Sequence, residues 1–219
     1  HFPPTRLVCI ENTHNRGGGS VWRLDQIADV AAVAKRRGLR LHMDGARLWN
    51  AAVATGVSER DLAAPFDSVS VCFSKGLGAP VGSALAGSKE FIARARRFRK
   101  QFGGGMRQAG IIAAGALHAL HNHRSRLAED HANAKRLAQG LSRLPGVAID
   151  VESVETNIVL FRVTGGSATE FVRKLDALGV RMLATGADTI RAVTNLNVSG
   201  EDITVALEII AAMCTGSGN

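Results

Sequence analysis

Three short stretches of this 219-residue chain carry groups able to do acid–base or covalent chemistry, and each follows an apolar run that reads as a strand. Leu7-Val8-Cys9-Ile10 runs into Glu11-Asn12-Thr13-His14, Leu39-Arg40-Leu41-His42-Met43 into Asp44-Gly45-Ala46-Arg47, and Ser68 to Phe73 into Ser74-Lys75-Gly76-Leu77-Gly78. Ligands of open α/β sheets gather at the carboxyl ends of the strands, so a carboxylate, a guanidinium and a lysine are expected around one crevice. Gly76, Gly78 and Gly82 let the backbone bend tightly around Lys75. Two plainer readings compete: Lys75 as an ordinary loop lysine, and Asp44 as the N-cap of the next helix, a role worth about 1 kcal/mol. The segment Gly76-Leu77-Gly78-Ala79-Pro80-Val81-Gly82 is one residue off the dinucleotide pattern and no Gly-Lys-Ser/Thr closes it, so Rossmann and P-loop readings both fail. An amine and a carboxylate at neighbouring strand ends remain. That pair is what pyridoxal phosphate requires: the amine condenses with its aldehyde, and the carboxylate keeps the pyridine nitrogen protonated so that the ring can accept carbanion electrons.

The elements that must position these groups follow from periodicity. Leu24, Ile27, Ala28, Ala31 and Ala34 recur at helical spacing, and Gly38 ends that helix. A second helix is expected from about Arg47 to Thr55. Strand, helix, strand, helix, strand with short links predicts a parallel α/β sheet, and three parallel strands make a thin one. Either later segments add strands or the chain is a fragment. After Gly103-Gly104-Gly105 the Ala- and Leu-rich stretch from Gln108 to Leu144 predicts one long helix or two in series, ended by Pro145-Gly146. Beyond it, strands near 147–151 and 157–163, a helix near 168–178, strands near 181–183 and 190–194 and a helix near 201–213 give a ββαββα order. Such an order suggests a small α+β domain with an antiparallel sheet. The expected division is therefore residues 1–144, a large domain with its linking helix, and 145–219, a small one.

Composition excludes several classes. With 46% hydrophobic and 21% charged residues, a mean hydropathy of +0.06 and no run of 18 apolar residues, neither disorder nor a membrane span fits. The opening His1-Phe2-Pro3-Pro4-Thr5-Arg6 shows no basic stretch followed by an apolar one. Three scattered cysteines cannot frame a disulfide scaffold; Cys9 and Cys72, inside apolar runs, are expected as buried free thiols, and a reducing, cytoplasmic setting follows. The net charge of +8 is densest at Arg94, Arg96, Arg97, Arg99 and Lys100, but the absence of tyrosine and an aromatic content of 5% argue against a nucleic-acid partner. A solvated helix face or a subunit contact is the plainer reading. His118, His121, His123 and His131 invite a metal, but His123 points away from His121 on a helix and no carboxylate completes a set, so none is expected.

Four motifs in order give the chain a family resemblance. Glu11-Asn12-Thr13-His14-Asn15, His42-Met43-Asp44-Gly45-Ala46-Arg47, Ser74-Lys75-Gly76-Leu77-Gly78-Ala79-Pro80-Val81-Gly82-Ser83 and Gly103-Gly104-Gly105-Met106-Arg107-Gln108-Ala109-Gly110 resemble the low-specificity L-threonine aldolases. The resemblance implies a fold-type I, pyridoxal-phosphate-dependent transferase-like α/β fold: part of a large domain with a mostly parallel sheet, lacking the family's N-terminal segment, plus the small C-terminal α+β domain. It implies pyridoxal 5'-phosphate as cofactor and cleavage of L-threonine, L-allo-threonine and related β-hydroxy-α-amino acids to glycine and an aldehyde. Lys75 would be the Schiff-base lysine, Asp44 the pyridinium partner, and Arg47 and Arg191 the substrate-carboxylate clamp. Arg107 and Lys100 would reach cofactor or substrate across a subunit interface. His1 aligns with an active-site histidine that could handle the β-hydroxyl proton. The stretch Asn195-Leu196-Asn197 departs from the family, which has His and Asp there. The implied partners are a small amino-acid substrate and further copies of the chain in a dimer or tetramer, with a separate N-terminal chain completing the site as a further expectation, and with no membrane. The alternatives are another reaction of the same cofactor (β-elimination, racemisation or transamination) and a non-catalytic fragment or one chain of a nicked aldolase.

Overall fold

The computed structural model describes residues 1–215, which fall into two compact units. The first comprises His1–Thr13 and Val21–Arg126, the second His14–Ser20 and Leu127 onward. The second unit thus starts ahead of the break expected at residue 144, and it takes in a short loop from near the start of the chain.

The first unit is built on a four-stranded sheet, β1 (Leu7–Glu11), β2 (Arg40–Gly45), β3 (Ser68–Cys72) and β4 (Ser83–Gly87), in that spatial order. β1, β2 and β3 are parallel, and β4 returns antiparallel to β3. The parallel strands arise where apolar runs alternate with helices, as the sequence predicts: α1 spans Leu24–Arg36 and α2 spans Leu48–Thr55. Ile27 of α1, Leu48, Ala51 and Ala52 of α2, and Leu62 of the short α3 (Glu59–Ala63) bury against Met43 and Val69 of the sheet. Strand β2 alternates accordingly, with Leu41 and Met43 inward and Asp44 exposed.

Two features differ from expectation, and a third decides between two alternatives. β1 is not buried: Leu7 and Cys9 are exposed and only Ile10 lies in the core. Among the described residues it is the edge strand, paired with β2 alone, so its apolar run is not buried there and Cys9 is exposed. β4 and the helix α4 (Lys89–Gln101) escape the periodicity reading, because Ser83-Ala84-Leu85-Ala86-Gly87 has no β-branched residue and α4 is crowded with arginine. α4 begins at Ser88, whose hydroxyl accepts from Phe91 N–H at 3.2 Å, and it buries no residue. The stretch read as one helix or two in series is two, α5 (Gly110–Asn122) and α6 (Leu127–Leu141), and α6 belongs to the second unit.

The second unit adds β5 (Val147–Ala148), β6 (Ile158–Val163), α7 (Ala168–Ala177), β7 (Leu183–Ala184), β8 (Thr189–Val193) and α8 (Gly200–Thr215), the ββαββα order read from the sequence. Its sheet is antiparallel throughout, ordered β5-β6-β8-β7. Phe161, Ile190, Leu137, Leu141, Leu175, Ile203 and Ile210 pack between the sheet and its helices, with Phe161 edge-on to Phe171. None of the described helices is long and apolar enough to cross a membrane.

Candidate active site

Glu11 lies opposite Asp44 in the β1–β2 register, and Asp44 lies opposite Ser70 in β2–β3, so the carboxyl ends of three parallel strands sit side by side. Asp44 is exposed at this edge, and its Oδ1 accepts the Ala46 N–H at 3.0 Å. The bond closes a turn within the strand end. It does not cap α2, whose N-cap position is Arg47, so the helix-cap reading of Asp44 is not the one the structure adopts. Arg47 itself is nearly buried, at 9% exposure, where a cation needs partners.

Three residues past the end of β3, Lys75 stands on a tight turn. Gly78 N–H donates to the Lys75 carbonyl at 2.8 Å, Ala79 N–H to the Phe73 carbonyl at 2.9 Å, and Phe73 N–H to the Gly82 carbonyl at 3.0 Å. Gly78 makes the turn at a φ of +72°, a conformation that side chains with a Cβ disfavour. Gly76 and Leu77 are buried while the Lys75 side chain is exposed. Among the described residues no carboxylate pairs with Lys75 and no cation with Asp44. An amine and a carboxylate are thus both left with bonding capacity, one at the end of β2 and the other in the turn that follows the neighbouring strand β3. This is the donor set that a pyridine aldehyde fits: one amine to bond the aldehyde carbon, one carboxylate oxygen to accept from the ring nitrogen.

Side chains outside the sequence reading hold this edge together. Trp49, two residues past Arg47, donates its Nε1–H to the Cys72 carbonyl at 3.2 Å and stacks on Phe73 at 6.3 Å between ring centres. It fastens the end of β3 to α2, and its one sequence signal is a rare tryptophan beside the arginine. His123, at the end of α5, donates from Nδ1 to the Leu77 carbonyl at 2.7 Å, which ties it to the lysine turn and gives one of the four histidines a structural task. Among the described residues no three His, Cys, Asp or Glu side chains are grouped to hold a metal ion.

Arg191 lies in the second unit, on β8 between Leu160 of β6 and Leu183 of β7. Its Nη2 donates to Asn15 Oδ1 at 2.8 Å, and its Nε is buried without a hydrogen-bond partner. The remaining expected residues are scattered. His1 is exposed in the coil ahead of β1, its ring 4.5 Å from that of Phe2, and among the described residues no hydrogen bond ties it to Lys75 or Asp44. Lys100, in the last turn of α4, folds over Gly105, and Arg107 is exposed in the coil before α5.

The family model described as beta-eliminating lyase matches residues 1–164. Low-specificity L-threonine aldolase 1 of Arabidopsis thaliana is 42% identical over 205 residues, which cover 92% of this chain and 57% of that protein. Low specificity L-threonine aldolase of Escherichia coli K12 is 41% identical over 203 residues, 93% of this chain and 59% of that protein. The chain therefore spans under three-fifths of the length of these curated relatives. Among solved structures, Leishmania major threonine aldolase superposes with a TM-score of 0.78 at 23% identity, over 95% of this chain and 61% of that one. The fold is the fold-type I fold that the motifs imply.

Proposed function

The chain belongs to the beta-eliminating lyase family, and we propose that it acts within it as a pyridoxal-phosphate-dependent aldolase. In this reading it cleaves L-threonine, L-allo-threonine and related β-hydroxy-α-amino acids to glycine and an aldehyde. The observation that carries the reading is the unpaired amine of Lys75 in the turn after β3, with the partly open carboxylate of Asp44 at the end of the neighbouring strand β2. Its identity of 41–42% with named threonine aldolases supports the choice of reaction.

Bound here, the cofactor supplies an electron sink for the pair released when the Cα–Cβ bond breaks. Lys75 Nζ would be the group that holds the cofactor through its aldehyde carbon. Asp44 holds a proton on the ring nitrogen, because a carboxylate beside a pyridine nitrogen stabilises the protonated ring. Arg47 and Arg191 bind the substrate carboxylate, and a guanidinium does so with paired, charge-assisted hydrogen bonds. Arg107 and Lys100 serve the anionic end of cofactor or substrate, and His1 is the candidate for the β-hydroxyl proton. Further copies of the chain complete the assembly: Phe98, Phe102 and Ile111 are exposed in the single chain, Ile111 at 88%, and large apolar side chains left so open mark an interface. Three free cysteines suit a reducing, cytoplasmic setting.

The test is product analysis of the cofactor-loaded protein with L-threonine and L-serine. Glycine with an aldehyde from threonine, abolished in Lys75→Ala, is the expected result. A keto acid in place of glycine would make the enzyme an eliminating lyase, and turnover retained in Lys75→Ala would remove the lysine from its role.

A further inference from the structure

The seven residues His14–Ser20 leave the end of β1, pack as part of the second unit, and return to the first at Val21. The loop is closed on itself by His14 N–H to the Ser20 carbonyl at 3.0 Å and Gly19 N–H to the His14 carbonyl at 2.9 Å. It is fixed to the second unit at Gly19, whose carbonyl accepts the hydroxyl of buried Thr156, two residues ahead of β6, at 2.7 Å. The approach is so close that a Cβ on Gly19 would stand 2.4 Å from Thr156 Oγ1. One on Gly18 would meet Leu160, the cross-strand neighbour of Arg191, at 3.3 Å. Asn15 is carried on this rigid loop, 176 residues from Arg191 in sequence, with its Oδ1 2.8 Å from Arg191 Nη2.

The chemistry of that contact is selective. A carboxylate beside an arginine orients the guanidinium and offsets its charge. Here the acceptor is a neutral amide, and among the described residues no carboxylate pairs with Arg191. The guanidinium is oriented, keeps its full charge, and retains N–H groups without protein acceptors, the buried Nε among them. A buried donor left without a partner in an otherwise satisfied site signals a function for the group. We propose that Asn15 is a positioning residue that acts through Arg191: a neutral acceptor that sets the guanidinium for an α-carboxylate and thereby selects amino acids over their uncharged analogues. The inference rests on the reading of Arg191 as a carboxylate-binding residue.

The experiment is calorimetric titration of the cofactor-loaded protein with glycine and with glycinamide, which shares the amine but lacks the carboxylate. Asn15→Ala is expected to raise the glycine Kd about tenfold, the weight of one charge-assisted hydrogen bond, and to leave the glycinamide Kd unchanged. Asn15→Asp keeps an acceptor of the same shape and is expected to bind glycine no better than Asn15→Ala, because the new carboxylate cancels the charge. In an Arg191→Ala background, adding Asn15→Ala is expected to change glycine binding less than about twofold. Wild-type glycine affinity in Asn15→Ala or Asn15→Asp, an equal loss for glycinamide, or an undiminished loss in the Arg191→Ala background would overturn the proposal while leaving Arg191 its role. Unchanged glycine binding in Arg191→Ala alone would remove the reading on which it rests.

Discussion

The two units divide their tasks unequally. The second has a closed core, in which Phe161, Ile190, Leu175 and Ile210 are wholly buried between an antiparallel sheet and its helices. The first carries Lys75, Asp44 and Arg47 but buries a smaller set of side chains around Ile27, Met43 and Leu62, and its helix α4 buries none. Polar groups that must stay available for chemistry sit at strand ends, where packing cannot cover them without spending their bonding capacity. Stability concentrates in the packed core of the second unit, so substitutions there should cost the fold, whereas substitutions at the strand ends of the first unit should cost the ligand.

The contrast is broken most severely at the core of the second unit. Phe161→Ala should cost about 3–5 kcal/mol, the usual penalty for emptying a fully packed aromatic site, whereas Val33→Ala on the exposed face of α1 should stay within about 0.5 kcal/mol. Urea denaturation of both variants compares them directly. Gly19→Ala comes next. Its φ of +77° alone costs a residue with a Cβ about 1–2 kcal/mol, and the approach to Thr156 adds to that, so a lowered Tm is expected together with weaker amino-acid binding. Ser88→Ala removes the N-cap of α4 and should cost about 1 kcal/mol, visible as faster amide exchange in the first turn of that helix.

The smallest effect near neutral pH belongs to His131 on α6. Burial pushes its pKa down to about 4, against an ordinary value near 6.5, so the unfolded chain binds the proton more readily. Its contribution to stability is complete above about pH 6.5 and is lost as the pH falls through about 4. A stability profile between pH 7 and 4 should slope downward with acid, and His131→Gln should flatten it.

The strand ends that carry Asp44 and Lys75 are legible in the sequence. Asp44 and Lys75 stand out because a charged residue directly after an apolar run marks a strand end, and strand ends in parallel sheets collect ligands. The ββαββα order of the second unit follows in the same way from periods of 2 and 3.6. What escaped reading depends on non-local contacts. The exposure of β1 and Cys9 follows from an edge position that no window of sequence reports. β4 and α4 lack the apolar alternation by which strands and helices are found, and the placing of α6 in the second unit depends on which core its Leu137 and Leu141 join. The pairing of Asn15 with Arg191, like that of Trp49 with Cys72, joins residues distant along the chain through one hydrogen bond, and residue type alone does not report it.

The central claim is that Lys75 is the residue to which pyridoxal phosphate bonds. Reduction of the cofactor-treated protein with borohydride fixes that bond, and peptide mass mapping locates it. A single pyridoxyl-phosphate adduct on the peptide carrying Lys75, lost in Lys75→Ala, is the predicted result. An adduct on another lysine, or spread across the surface lysines with Lys75 unmodified, would contradict it.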